Sequence, residues 1–209
     1  MFRKFISIVM VIVFWTICVI PANAATVQTP SIGAIISIED PITGAVWTWY
    51  ETVDKMSITT TKTRSSDSST LISEWITVDI GEYLAQTYGA RTSGETTVYD
   101  DIRVSTGLTY TANAERETVR LHNVFGSTSQ SGDYYATNRE VIWRNPGSGD
   151  QGTFAPNTNS WNYPVVCEEG AFNDTVPPFS RINCEIHING MTAYKNITVT
   201  FFLFLFQEV

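Results

Sequence analysis

Gly147-Ser148-Gly149-Asp150-Gln151-Gly152 fits the glycine spacing of a dinucleotide-binding loop and follows a strand-like run. A pyrophosphate needs a helix N-terminus behind those glycines. Thr153 to Asn157 reads as loop, so no nucleotide site is expected. His122 and His187 are the two histidines, and no Gly-x-Ser-x-Gly elbow offers either of them a nucleophile. His187 and Glu185 are two apart on a strand and so face the same way. Zinc takes three or four ligands and no third is indicated, so the expectation is a surface histidine beside a surface acid. Asp100-Asp101 and Glu168-Glu169 are carboxylate pairs, but adjacent strand residues point to opposite faces, so neither pair makes a dyad. Asp100, Asp101 and Asp150 offer oxygens of the kind calcium takes, without an EF-hand or nonapeptide loop around them. These residues assemble no catalytic set, no metal site and no cofactor site.

The aromatic residues are the stronger lead. Trp47 and Trp49 are two apart in a strand and share a side. A ring pair of that kind either packs a sandwich core or presents a ligand platform, for which sugars are the natural occupant. Trp143, Trp161 and Tyr163 carry the same two readings. Cys167 and Cys184 are the cysteines left once a leader has been removed, and in an exported chain an even pair predicts one disulfide, Cys167–Cys184.

The leader is residues 1–24. Arg3 and Lys4 precede a run from Phe5 to Ile20 that holds no charge, and Pro21-Ala22-Asn23-Ala24 supplies small residues for cleavage after Ala24. The run is shorter than the roughly 20 residues of a membrane helix, so a signal peptide is expected and Ala25–Val209 is the part that folds as one domain. The full chain carries a formal net charge of −8; the leader holds two of its 13 basic residues and none of its 21 acidic ones, so cleavage takes the charge to −10. That acidity excludes nucleic acid as a partner, and no stable membrane span is expected in the mature chain. Asn173 and Asn196 open Asn-x-Thr sequons for a host that glycosylates.

The mature chain is rich in Thr, Ser, Val, Ile and aromatics in short alternating runs broken by Gly, Asn, Asp and Pro. This predicts an all-β fold, a single β-sandwich of antiparallel strands with one short helix. Strands are expected at 32–38, 45–50, 56–61, 71–78, 96–104, 108–112, 117–125, 139–143, 161–167, 182–188 and 193–206. Asn189-Gly190 predicts a hairpin between the last two. Asp79 is placed to cap a helix from Gly81 to Tyr88. In Ile182–Ile188 the residues Ile182, Cys184, Ile186 and Ile188 should face the core. Phe201–Phe206 is apolar on both faces and calls for cover on the second. From Ser57 to Thr70 ten of 14 residues are Ser or Thr and only Ile58 is apolar, which argues against a lipid-facing strand.

The order Val119–Gly126, Tyr135–Trp143, Asn159–Tyr163, Glu169-Gly170-Ala171 and a C-terminal Asn-Gly hairpin resembles small exported β-rich proteins of Gram-positive bacteria that have no assigned activity. The resemblance implies a secreted bacterial protein and supplies no catalytic residue. The expectation is therefore a secreted or cell-envelope β-sandwich that binds a protein or glycan or serves a structural role. A carbohydrate-binding module using Trp47 and Trp49 is the alternative, followed by a secreted hydrolase and a membrane-active toxin.

Overall fold

The computed structural model describes residues 32–52, 58–64, 70–87, 102–113, 115–130, 134–173, 175–190 and 192–203. The leader, Asp100-Asp101 and Phe204–Phe206 lie outside them. Among the described residues, twelve strands form two antiparallel sheets packed face to face. The first sheet has the order β2 (Val46–Thr52), β1 (Ile32–Glu39), β12 (Tyr194–Phe202), β11 (Phe179–Ile188), β7 (Tyr134–Asn145), β8 (Asp150–Phe154). The second runs β3 (Ile58–Arg64), β4 (Thr70–Asp79), β5 (Arg103–Asn113), β6 (Thr118–Thr128), and β6 then pairs with both β9 (Ser160–Pro164) and β10 (Gly170–Ala171). The expected all-β sandwich is therefore the observed fold.

Alternation explains the layers. Ile36, Ile38, Ile197, Val199 and Phe201 are buried on the inner side of the first sheet. Ile76, Val78, Val104, Leu108 and Leu121 meet them from the second. Inward positions recur every second residue, and the intervening Ser, Thr, Asn and Glu stay outside. Polar contacts also cross the core: the hydroxyls of Thr106 and Ser180, both fully buried, lie 2.5 Å apart, and the buried Asn145 amide of β7 donates to the Val119 carbonyl of β6 at 3.2 Å. A hydroxyl pair satisfies itself there at little desolvation cost.

Two bulges matter for side-chain placement. On β6, His122 is the extra residue between the pairs Thr109–Asn123 and Tyr110–Leu121. On β7, Asn138 and Arg139 together oppose Cys184, and Asn138 takes φ 46°, a left-handed conformation that asparagine tolerates. The bulge aims Arg139 across the sandwich, where Nε donates to the Thr128 hydroxyl at 3.0 Å and the guanidinium also reaches Asn159.

The helix α1 spans Ile80–Thr87, and Asp79 caps it: its Oδ1 accepts from the Gly81 amide at 3.0 Å. The Asn189-Gly190 turn joins β11 to β12, with Gly190 at φ 80°. Three expectations need correction. Of the strand expected at 96–104, residues 96–101 lie outside the described residues; its end meets the run expected at 108–112 in the single strand β5, because Gly107 continues the pleat between two neighbours. The segment expected as loop at Thr153-Phe154 belongs to β8, an edge strand paired with β7.

The third correction concerns the disulfide. Cys167 and Cys184 are both buried free thiols. Cys184 opposes Asn138–Arg139 on β7, whereas the Cys167 sulfur lies 3.3 Å from the Asn145 amide nitrogen at the far end of that strand. Those positions are about 20 Å apart along the strand, and a disulfide requires Cα atoms within about 7 Å. An even cysteine count argues from compartment alone and carries no information about register.

Candidate functional site

The glycine-rich run is a hairpin turn with an edge strand. Asn145 and Asp150 form the last β7–β8 pair, and the Gly149 amide donates to the Asn145 carbonyl at 2.9 Å. Gly149 has φ 82°. A Cβ on Gly147 would come within 1.9 Å of the Ala171 carbonyl oxygen, and one on Gly152 would strike the Trp143 indole. Gly147 and Gly152 thus have a packing reason, and Gly149 a conformational one. Asp150 accepts from the Glu168 amide at 2.8 Å, and this bond holds its carboxyl below the usual range. Among the described residues no three His, Cys, Asp or Glu side chains gather to hold a metal.

His187 does face outward beside Glu185, with Nε2 3.1 Å from the carboxylate. The same Nε2 lies 2.9 Å from the Thr137 hydroxyl. A nucleophile–base–acid relay uses the two ring nitrogens for its two partners, and here one nitrogen serves both. The ring is instead the middle of a stack, with Tyr135 at 5.1 Å and Tyr194 at 5.2 Å.

Trp47 and Trp49 share a side, and it is the inner one. They pair with Ile38 and Ile36, which are fully buried. As β2 is the sheet edge, both rings are half-buried, and Trp49 meets Tyr83 of α1 edge-on at 4.9 Å. The outward side of β2 carries Val46, Thr48 and Tyr50. Trp143 and Trp161 are core residues, and Tyr163 stacks on Phe154 of β8 at 4.5 Å. Glu74 faces inward, where burial raises its pKa although Tyr110 and Thr60 hydrogen-bond its carboxylate.

The outer side of the second sheet brings together residues that the linear reading did not group. Across it, Thr59, Trp75, Gly107, Phe125 and Asn162 form one row over five strands. Trp75 and Phe125 meet over Gly107 with centroids 5.7 Å apart, edge to face. Gly107 is what lets them meet, for a Cβ there would lie 2.4 Å from the Trp75 Cβ. The flanking rows are Thr77, Ser105, Ser127, Ser160 on one side and Thr61, Ser73, Thr109, Asn123, Pro164 on the other. Their side chains are held in place across strands: Ser105 to Ser127 at 2.8 Å, Ser73 to Thr109 at 2.9 Å, and Asn123 Nδ2 donating to Asn162 Oδ1 at 2.8 Å. None of these side chains is charged. Among the described residues of these strands, charges enter beyond the flanks, at Asp79 and Arg103 on one end and Arg120 on the other. The alternation Ser73–Trp75–Thr77 carried part of this signal. The partner Phe125 becomes visible only once register puts Gly107 between them. No protein-family model, curated protein or solved structure matches this chain.

Proposed function

We propose that the chain acts outside the cytoplasm as a non-catalytic β-sandwich that holds a partner against the outer side of its second sheet. The observation that carries this reading is the Trp75–Phe125 pair set over Gly107 between charge-free rows of hydrogen-bonded hydroxyls and amides. Aromatic rings with fixed polar neighbours are the usual anchors of recognition. Three described groups suited to acid–base work are engaged elsewhere. His187 is stacked and bonded through one nitrogen, Glu51 accepts from the Tyr83 hydroxyl at 2.9 Å, and Glu74 is bonded to Tyr110. A platform built on Trp47 and Trp49 has less support, since both lie on the inner side of β2.

Co-sedimentation of the purified protein with washed cell envelopes of its host tests the reading. Retention is expected, lost on Trp75→Ala or Phe125→Ala and kept on Tyr135→Ala, which alters the other sheet. Retention indifferent to Trp75 and Phe125, or no retention, sinks it.

A further inference from the structure

We infer that the outer side of the second sheet binds an uncharged polysaccharide, lying across the strands along the row Thr59–Trp75–Gly107–Phe125–Asn162. The inference rests on the partner reading above and names the chemical class of that partner. Three features point to it.

The first is the sequence of chemistries across the face. A sugar ring has an apolar C–H face and a rim of hydroxyls. The central row offers aromatic surface, and both flanks offer hydroxyl and amide groups at fixed positions. A chain laid on the aromatic row has polar groups on both sides of it. Ser and Thr hydroxyls donate and accept, as sugar hydroxyls do, so the flanks match the rim without a fixed polarity.

The second is charge. The three rows hold no Lys or Arg to pair with a carboxylate, sulfate or phosphate. The whole chain carries −8, which repels anionic polymers at long range. A neutral polymer pays neither cost.

The third is size. Four strand spacings and two pleat repeats give a face of about 19 by 13 Å, or roughly 250 Å². A stable protein partner needs about 800 Å² on each side. A narrow polymer fits the smaller area.

Affinity electrophoresis and tryptophan fluorescence, run against soluble mixed-linkage β-glucan, xyloglucan, galactomannan and cello- and chito-oligosaccharides, test the inference, with polygalacturonate as the anionic control. At least one neutral glycan is expected to bind, and polygalacturonate not. Trp75→Ala and Phe125→Ala should each weaken binding roughly tenfold or more. Thr77 and Asn162 are exposed, so Thr77→Arg and Asn162→Ala keep the fold and should weaken binding as well. Raising salt to about 1 M, where the Debye length is about 3 Å, should leave the affinity unchanged. Failure of every neutral glycan to bind overturns the inference, as does binding that survives all four substitutions. If envelope retention is lost on Trp75→Ala while no glycan binds, the partner reading stands and the glycan falls. If retention ignores Trp75 and Phe125, both fall.

Discussion

The two outer faces of the sandwich use similar residues to opposite ends. On the first sheet, Thr48, Ser37, Thr198, Asn183 and Glu140 stand in one row across five strands. Thr198 donates to Asn183 Oδ1 and Asn183 Nδ2 donates to Glu140, each at 3.0 Å. Arg181 lies over the Phe179 ring and donates to the Thr200 hydroxyl, and Asn196 donates to Glu39. Glu39, Glu140 and Arg181 there are bonded to side chains of the same sheet, and the rings of Tyr135 and Tyr194 stack on His187. The second sheet excludes charge from its centre and places its two rings over a glycine. A face whose polar groups satisfy one another gains rigidity. A neutral face with rings at its centre retains free energy for a partner.

The comparison is most forcibly broken at Gly107. Gly107→Val would drive a side chain into Trp75 Cβ and the Glu74 carbonyl. It should cost about 2–3 kcal/mol by urea denaturation and separate the two rings. Next is Asn183→Leu on the first sheet, which strands the partners Thr198 and Glu140 and should cost about 1 kcal/mol.

The inner sides of the two sheets differ in acid response, a third test. In the first sheet Lys195, 2.5 Å from Asp40, holds that carboxyl at about 2, with the Ile42 amide assisting. Its folded value lies below the ordinary 3.8, so this contribution is present above 3.8 and lost as pH falls through about 2. Lys195→Met should flatten the stability profile in that acid window. Glu74 shifts the other way, raised from 4.5 by burial. Its protonated form suits the fold, so stability is fullest below 4.5 and declines as pH rises through the folded value. Glu74→Gln should stabilise the protein at neutral pH and remove that decline, as thermal melts across pH would show. The smallest effect belongs to Ser105→Ala, which removes one half-exposed hydroxyl pair and should cost no more than about 0.5 kcal/mol.

Much of the fold was legible because alternation is a local property. Ile182, Cys184 and Ile186 face inward as their spacing required, and Asp79 caps its helix. Phe201 is buried, and on the other side of the sheet Phe202 meets its cross-strand neighbour Phe179 edge-on at 6.1 Å. What eluded the linear reading depends on register between distant segments. Trp47 and Trp49 were rightly placed on one side, but only the pairing with Ile38 and Ile36 says that it is the inner one. β8 was missed because Gly152 breaks its apolar pattern, and the Trp143 indole that replaces the missing side chain comes from β7. The Trp75–Phe125 pair escaped for the same reason, since its centre is a glycine.

The two unjoined thiols have a consequence for how the molecule comes apart. No covalent cross-link ties Cys167 to Cys184, so the unfolded chain keeps its full loop freedom and the fold needs no oxidant to form. Burial pushes the Cys184 thiol up to about 12, so it is silent to alkylating reagents while the first sheet is intact. Cys167 is buried at the other end of β7, where its S–H donates to the Glu168 carbonyl beside the β10 pairing. The pair is a natural two-channel clock: the order in which the thiols become reactive tells which end of the sandwich opens first.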